Sequence, residues 1–212
     1  MKVLAVSDQV VEIVYSSRIR QRFGDVDMVF SCGDLPCFYL EYISSMLNVP
    51  CFFVHGNHDV AEYSADGRLV LEPGGWVNLD GRIVRGSAKG RTVLIGGLEG
   101  SQRYRPYAPF QYTEREMTLK VWRMALSMMV NRLRFGRYLD VLITHAPPFG
   151  IHDGADLPHQ GFSVFLKLMH RFRPRYLLHG HKHIYGLDTW RTCFGETEVI
   201  NVYPYRLLEL EL

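Results

Sequence analysis

Short apolar runs recur along the 212-residue sequence, and each of five is followed within a few positions by a side chain able to ligate a metal. Val3 to Val6 leads to Asp8, Met28 to Phe30 to Asp34, Cys51 to Val54 to Asn57, Val141 to Ile143 to His145, and Tyr176 to Leu178 to His181. These runs, and another at Val93 to Ile95, are too short and continuous for surface helices and read as strands buried on both faces. Helices are expected between several of them, over Val10 to Phe23, Phe38 to Leu47, Glu114 to Phe135 and Phe162 to Phe172. The longest opens with Thr113 and Glu116 in capping-box spacing, and its Met117, Val121, Met124 and Met128 recur at the period of a core-facing stripe. After His183 the pattern is β only: IYGLDTWRT, ETEVINVY and RLLELEL read as antiparallel strands, with turns at Phe194-Gly195 and Pro204-Tyr205. The chain is therefore expected to be α/β. In open sheets of that class ligands bind at the carboxyl ends of the strands, where residues far apart in sequence can converge on one pocket.

Length and a hydrophobic content of 47% suit one well-packed core, so a single domain over residues 1–212 is expected. A formal charge of +2 and a pI near 8.3 argue against a chain built to neutralise nucleic-acid phosphates, and a nucleic-acid partner has no support. The opening MKVLAVSD reaches a polar residue too soon for a secretion signal. No apolar run approaches the ~20 residues of a membrane span, so no membrane association and a cytoplasmic location are expected. Cys32, Cys37, Cys51 and Cys193 form no CxxC pair and read as small buried hydrophobes. Oligomeric state is not legible.

The five donors select a chemistry. Two carboxylates, an amide oxygen and several imidazoles suit Mn, Fe or Zn better than Ca or Mg, which favour all-oxygen shells, or thiolate-bound Cu(I). Two divalent ions fit the count better than one.

The stretches SDQV (from Ser7), CGDLP (Gly33, Asp34), GNHD (Gly56 to Asp59), THAPP (His145) and GHKH (Gly180 to His183) together resemble the calcineurin-like metallophosphoesterase family, in that family's motif order. The combination of GNHD, THAPP and GHKH is what makes the resemblance specific. It implies a four-layer αββα sandwich of two mixed β-sheets flanked by helices, with a dinuclear site at the carboxyl edge of the sheets. It further implies that Asp34 bridges two ions, one held also by Asn57, His145 and His181, the other also by Asp8 and His183. A water between the ions would be the nucleophile. His58 would serve as hydrogen-bond donor or general acid, with Asp59 holding its ring. His179 is expected not to be a ligand, but either to support one from behind or to be a buried imidazole bonded to a carbonyl.

Where the family's first motif carries a histidine, this chain has Val10, which cannot coordinate. Gln9, a water, or a histidine from elsewhere such as His152 or His159 could fill the vacancy, and occupancy of the Asp8-side site is open. Two functions follow: metal-dependent hydrolysis of a phosphate ester, more specifically a phosphodiester, on a small molecule or nucleotide, or a catalytically degenerate fold serving as a binding module. A metallo-β-lactamase-type hydrolase is discounted because its clustered histidines belong on an early loop. Residues 101 to 140 carry eight Arg and Lys against three acids, a net +5, read as a solvated basic helix face. Arg103 and Tyr104 are candidates for a phosphate clamp or base stacking, and His159 for a substrate donor. NVYPYR near the C-terminus is read as structural.

Overall fold

The computed structural model describes residues 1–63, 67–185 and 189–212. In chain order the first half forms β1 (Lys2–Val6), α1 (Ile19–Phe23), β2 (Met28–Ser31), α2 (Cys37–Leu47), β3 (Cys51–Phe53), β4 (Glu62–Tyr63), β5 (Leu69–Val70), β6 (Trp76–Asn78), β7 (Ile83–Ala88) and β8 (Arg91–Leu98). The second half adds β9 (Ser101–Gln102), β10 (Gln111–Tyr112), α3 (Glu114–Phe135), β11 (Val141–Thr144), a 3-10 turn (Leu157–His159), α4 (Ser163–Phe172), β12 (Tyr176–His179), β13 (Arg191–Phe194), β14 (Thr197–Asn201) and β15 (Tyr205–Glu209).

Two mixed sheets face each other. The first runs β15-β1-β2-β3-β6, parallel except for β15; the second runs β13-β14-β12-β11-β8-β7, parallel except for the edge strands β13 and β7. The central strand runs are continuous rather than alternating because both of their faces are covered. In β1, Val3 and Ala5 pack between the sheets against Val93, Ile95, Val141 and Ile143. Leu4 and Val6 point the other way, onto Ile19 and Phe23 of α1 and Tyr39, Leu40 and Ile43 of α2. In the second sheet Leu94, Leu142 and Leu177 face Met117, Val121, Met124 and Met128 of α3 and Phe165 and Leu168 of α4. The result is the expected αββα sandwich.

Three expectations are corrected. The helix expected over Val10 to Phe23 is only the turn-and-a-half Ile19–Phe23, and the stretch before it is built of turns such as Tyr15 N–H to Val11 O. Val10, Val11, Ile13 and Val14 are β-branched, which disfavours a helix there. The C-terminal strands are not one antiparallel set. β14 lies parallel to β12, and the chain then crosses through the cis Tyr203-Pro204 bond to place β15 beside β1 in the other sheet. Part of the strand expected over IYGLDTWRT falls on 186–188, outside the described residues. Cys193 is exposed, unlike Cys32 and Cys51.

Both helices on the second sheet are secured at their starts. Thr113 and Glu116 make the expected capping box on α3. The residue before α4 is Phe162, which has no side-chain acceptor, and the task falls to Glu114 of α3. Its carboxylate accepts from Ser163 Oγ at 2.8 Å and from the N–H groups of Ser163 and Val164 at 3.2 and 2.6 Å. A negative charge on a helix amino terminus stabilises it and here ties α3 to α4. Glu114→Ala is expected to lower unfolding stability by about 1–3 kcal/mol in urea titrations without altering the fold seen by circular dichroism.

Candidate metal centre

The carboxyl ends of strands from both sheets meet at one edge. Asp8 follows β1, Asp34 follows β2 and Asn57 follows β3 in the first sheet; His145 follows β11 and His181 follows β12 in the second. Two glycines let the loops close on one another. A Cβ on Gly56 would lie 2.6 Å from Asp34 N, and one on Gly180 2.5 Å from Asp8 Oδ2. The glycines of GNHD and GHKH thus serve close backbone approach.

At the centre of the edge, ligand atoms of Asp34, His145 and His181 lie within 4.8 Å of one another. His145 Nε2 is 3.0 Å from Asn57 Oδ1, 3.0 Å from His181 Nδ1 and 3.4 Å from Asp34 Oδ2. Backbone carbonyls orient both rings: His145 Nδ1 donates to Cys32 O at 2.7 Å, and His181 Nε2 donates to Pro158 O at 2.6 Å. The opposite nitrogens, His145 Nε2 and His181 Nδ1, therefore turn toward the carboxylate and the amide oxygen. Once His145 Nε2 has given up its proton, these two nitrogens and two oxygens are a donor set that fits a divalent ion of the Mn, Fe or Zn kind.

A second group lies alongside. Asp8 accepts from the Ser7 hydroxyl and from His181 N–H at 3.0 Å, and its Oδ1 stands 3.9 Å from His183 Nε2. His183 stacks on Tyr203 with ring centroids 4.2 Å apart, and the Tyr203 hydroxyl donates to Gln9 Oε1 at 2.9 Å. Gln9 is exposed and held by Tyr203, and Val10 is 37% exposed. His152 is likewise engaged, with its two nitrogens on His179 Nε2 and Thr192 Oγ1. His159 bonds Asp156 and lies with its ring 5.3 Å from that of His181. Within NVYPYR, Tyr203 thus backs His183.

Asp8, Asp34 and His181 all adopt left-handed backbone conformations, with φ of 64°, 57° and 65°. Each costs of order 1 kcal/mol in a non-glycine residue. Asp34 is held there by His58 N–H, which donates to its Oδ1 at 2.8 Å.

Asp59 does not orient the His58 ring. Its Oδ1 accepts from Leu35 N–H at 3.1 Å, its Oδ2 from Gly56 N–H at 2.8 Å, and His55 Nδ1 lies 3.4 Å away. Two fixed backbone donors capture the carboxylate and pin the GNHD loop to the CGDLP loop. The His58 side chain is exposed, and among the described residues its ring has no hydrogen-bond partner. Tyr104 reaches the centre, accepting from Asn57 Nδ2 at 3.2 Å. Arg103 is bound within its own loop, to Gln111 O at 3.1 Å and Glu116 at 2.9 Å. His179 is fully buried and bonded to Gly180 O at 3.0 Å, apart from the donor cluster. Ser7 and Tyr203 also belong to the site, although their only sequence signal is adjacency to a motif or to a turn proline.

The electrostatics follow from burial and pairing. Burial alone would raise the Asp34 carboxyl, but the neighbouring His145 outweighs it and brings the pKa to about 2. Burial would depress His145, yet Asp34 and Asp8 lift it to about 9, while burial beside His145 takes His181 down to about 3. Burial holds the Asp8 carboxyl above its ordinary value, and the nearby Asp34 charge adds to this. Below pH 9 the His145 Nε2 that faces the centre therefore carries a proton that a cation must displace.

The family model for calcineurin-like phosphoesterases matches residues 1–185. No curated protein sequence matches the chain significantly. Among solved structures, TT1561 of Thermus thermophilus is similar with a TM-score of 0.61 at 16% identity, over 95% of this chain and 88% of that one. Phosphopantetheinyl hydrolase (PptH) from Mycobacterium tuberculosis is similar with a TM-score of 0.53 at 13% identity, over 95% and 88%. At these identities the likeness establishes the fold.

Because one proton leaves per ion bound through His145, Mn²⁺ or Zn²⁺ affinity measured by calorimetry is expected to rise about tenfold per pH unit between about pH 6 and 8. It should level off above the His145 pKa. Affinity independent of pH would contradict the protonated centre.

Proposed function

From the premise that the chain belongs to the calcineurin-like phosphoesterase family, we propose that it hydrolyses phosphate esters, more specifically phosphodiesters, at this edge. The observation that carries the proposal is the gathering of His181 Nδ1, Asn57 Oδ1 and Asp34 Oδ2 around His145 Nε2. Those residues would hold one divalent ion, and Asp8, Asp34 and His183 a second. Bound ions of the Mn, Fe or Zn kind supply Lewis-acid activation of the phosphoryl group and of water.

The remaining work belongs to side chains. His58 stands on a loop pinned by its own N–H to Asp34, with its ring uncommitted, so it can donate to the leaving or a non-bridging oxygen. Asp59 supports it at one remove, by fixing the turn that carries it. The Tyr104 hydroxyl accepts from Asn57, which leaves its own proton for a substrate oxygen. His159, with its ring beside that of His181, can also donate to a substrate oxygen. Arg103 positions the Tyr104 loop through Gln111 and Glu116.

The alternative, a binding module that has lost catalysis, is favoured by one observation, Val10 in place of a ligating histidine. Against it stands the strain at Asp8, Asp34 and His181. A scaffold has no use for three left-handed residues gathered at one edge, whereas a site that must present donors does.

The proposal is tested by two variants. His58→Ala is expected to reduce turnover of a phosphodiester about 10²- to 10⁴-fold with metal content unchanged. Asp34→Ala is expected to lose metal and turnover together. Equal metal loss in both, read by elemental analysis, would contradict the roles assigned here.

A further inference from the structure

Helix α3 carries two apolar stripes, and only one is covered. Met117, Val121, Met124 and Met128 are buried against the second sheet. On the outward side Leu119, Trp122, Leu126, Met129, Val130 and Leu133 are between 44% and 88% exposed. Five of these, Leu119, Trp122, Leu126, Met129 and Leu133, alternate at intervals of three and four residues, the spacing of a seam that packs against another helix. The stripe is also self-complementary. Leu133, the most exposed at 88%, projects at one end, and at the other end Thr118, Leu119 and Trp122, with Glu114 and Arg115, line a shallow apolar depression.

We propose that this face is an isologous interface between two copies of the chain, with the α3 helices antiparallel about a two-fold axis midway along the stripe. That arrangement sets Leu133 of each copy against Trp122 of the other, and Leu126 against Met129, so that knob and depression meet twice. A parallel pairing would set knob beside knob. The six side chains offer on the order of 800 Å² per chain, about one side of a standard stable interface.

Arginines flank this seam. Arg115, Arg123, Arg132 and Arg134 are exposed on α3, and among the described residues none has an ion pair with an acid. In the antiparallel register Arg123 comes level with Arg132 of the other copy and lies between its Val130 and Arg134, so the arginines border the seam and stay at its wet rim. Arginine is enriched at interfaces, where its stem covers apolar area while the guanidinium stays wet. An anionic lipid surface is the competing occupant, because it too would attract these arginines, but it does not call for three-and-four spacing or for a knob with a matching depression.

The test is light scattering coupled to size exclusion, and sedimentation, on the full chain at about 1–100 µM. The wild type is expected at about 49 kDa, twice the 24.5 kDa chain, and Leu126→Glu at the monomer mass. Leu126→Glu lies far from the metal donors in sequence and on the outward stripe, and is expected to keep wild-type helicity and metal content. Leu133→Glu, made in parallel, is expected to give the same monomer if one seam is responsible. A wild type that stays monomeric throughout the range, or a dimer that survives both substitutions, overturns the proposal. A monomeric wild type that co-sediments with phosphatidylglycerol vesicles, and loses this in Leu126→Glu, would overturn it in favour of a lipid surface.

Discussion

The contact between the His145 imidazole and the Asp34 carboxylate ties the carboxyl edge of one sheet to that of the other. Each partner is fixed from behind by backbone, His145 through Cys32 O and Asp34 through His58 N–H. The two sheets are held face to face by an apolar layer that has no directional preference of its own. The polar edge supplies the register. With the sheets slipped by one residue, His145 would lose both the carbonyl and the carboxylate, leaving buried polar groups without partners at a cost of a few kcal/mol.

That edge also concentrates backbone strain. Asp8, Asp34 and His181 could each relax to ordinary strand geometry if their neighbours allowed it, yet bonds from Ser7 and His181 to Asp8, from His58 to Asp34 and from His181 to Pro158 hold them. The close approach of Gly56 and Gly180 to the same carboxylates leaves little space for relaxation. The surrounding fold thus offsets a local cost in order to present donors in a preset arrangement, and an arriving cation meets a site that needs little reorganisation.

Much of this was legible in the sequence, for identifiable reasons. Continuous apolar runs ending in Asp34, Asn57, His145 and His181 revealed strands covered on both faces, because burial on both sides removes the alternation that surface strands show. The Thr113 and Glu116 pair marked the start of α3 because a capping box is local. Other features depended on partners distant in the chain. Nothing near Asp59 says that its carboxylate will meet Leu35 and Gly56 instead of His58, and nothing near Glu114 says that it caps a helix beginning at Ser163. The apolar face of α3 was hidden by interleaving: Leu119, Trp122 and Leu126 sit between Met117, Val121, Met124 and Met128, and basic residues between them gave the impression of a solvated surface. In the first helix expected from sequence, the β-branched Val10, Val11, Ile13 and Val14 had the spacing of an apolar face and the wrong side chains for a helix.

The central claim is that the converging donors form a working metal centre in spite of Val10. It is tested most directly by purifying the chain without chelator, measuring Mn, Fe and Zn per chain by elemental analysis, and assaying the same sample on bis-p-nitrophenyl phosphate with and without added Mn²⁺. Bound metal at a stoichiometry above one per chain is expected, with turnover that vanishes on chelation and returns with the ion. One ion or none per chain, with no turnover under any of the three metals, would contradict it and leave the fold as a binding module.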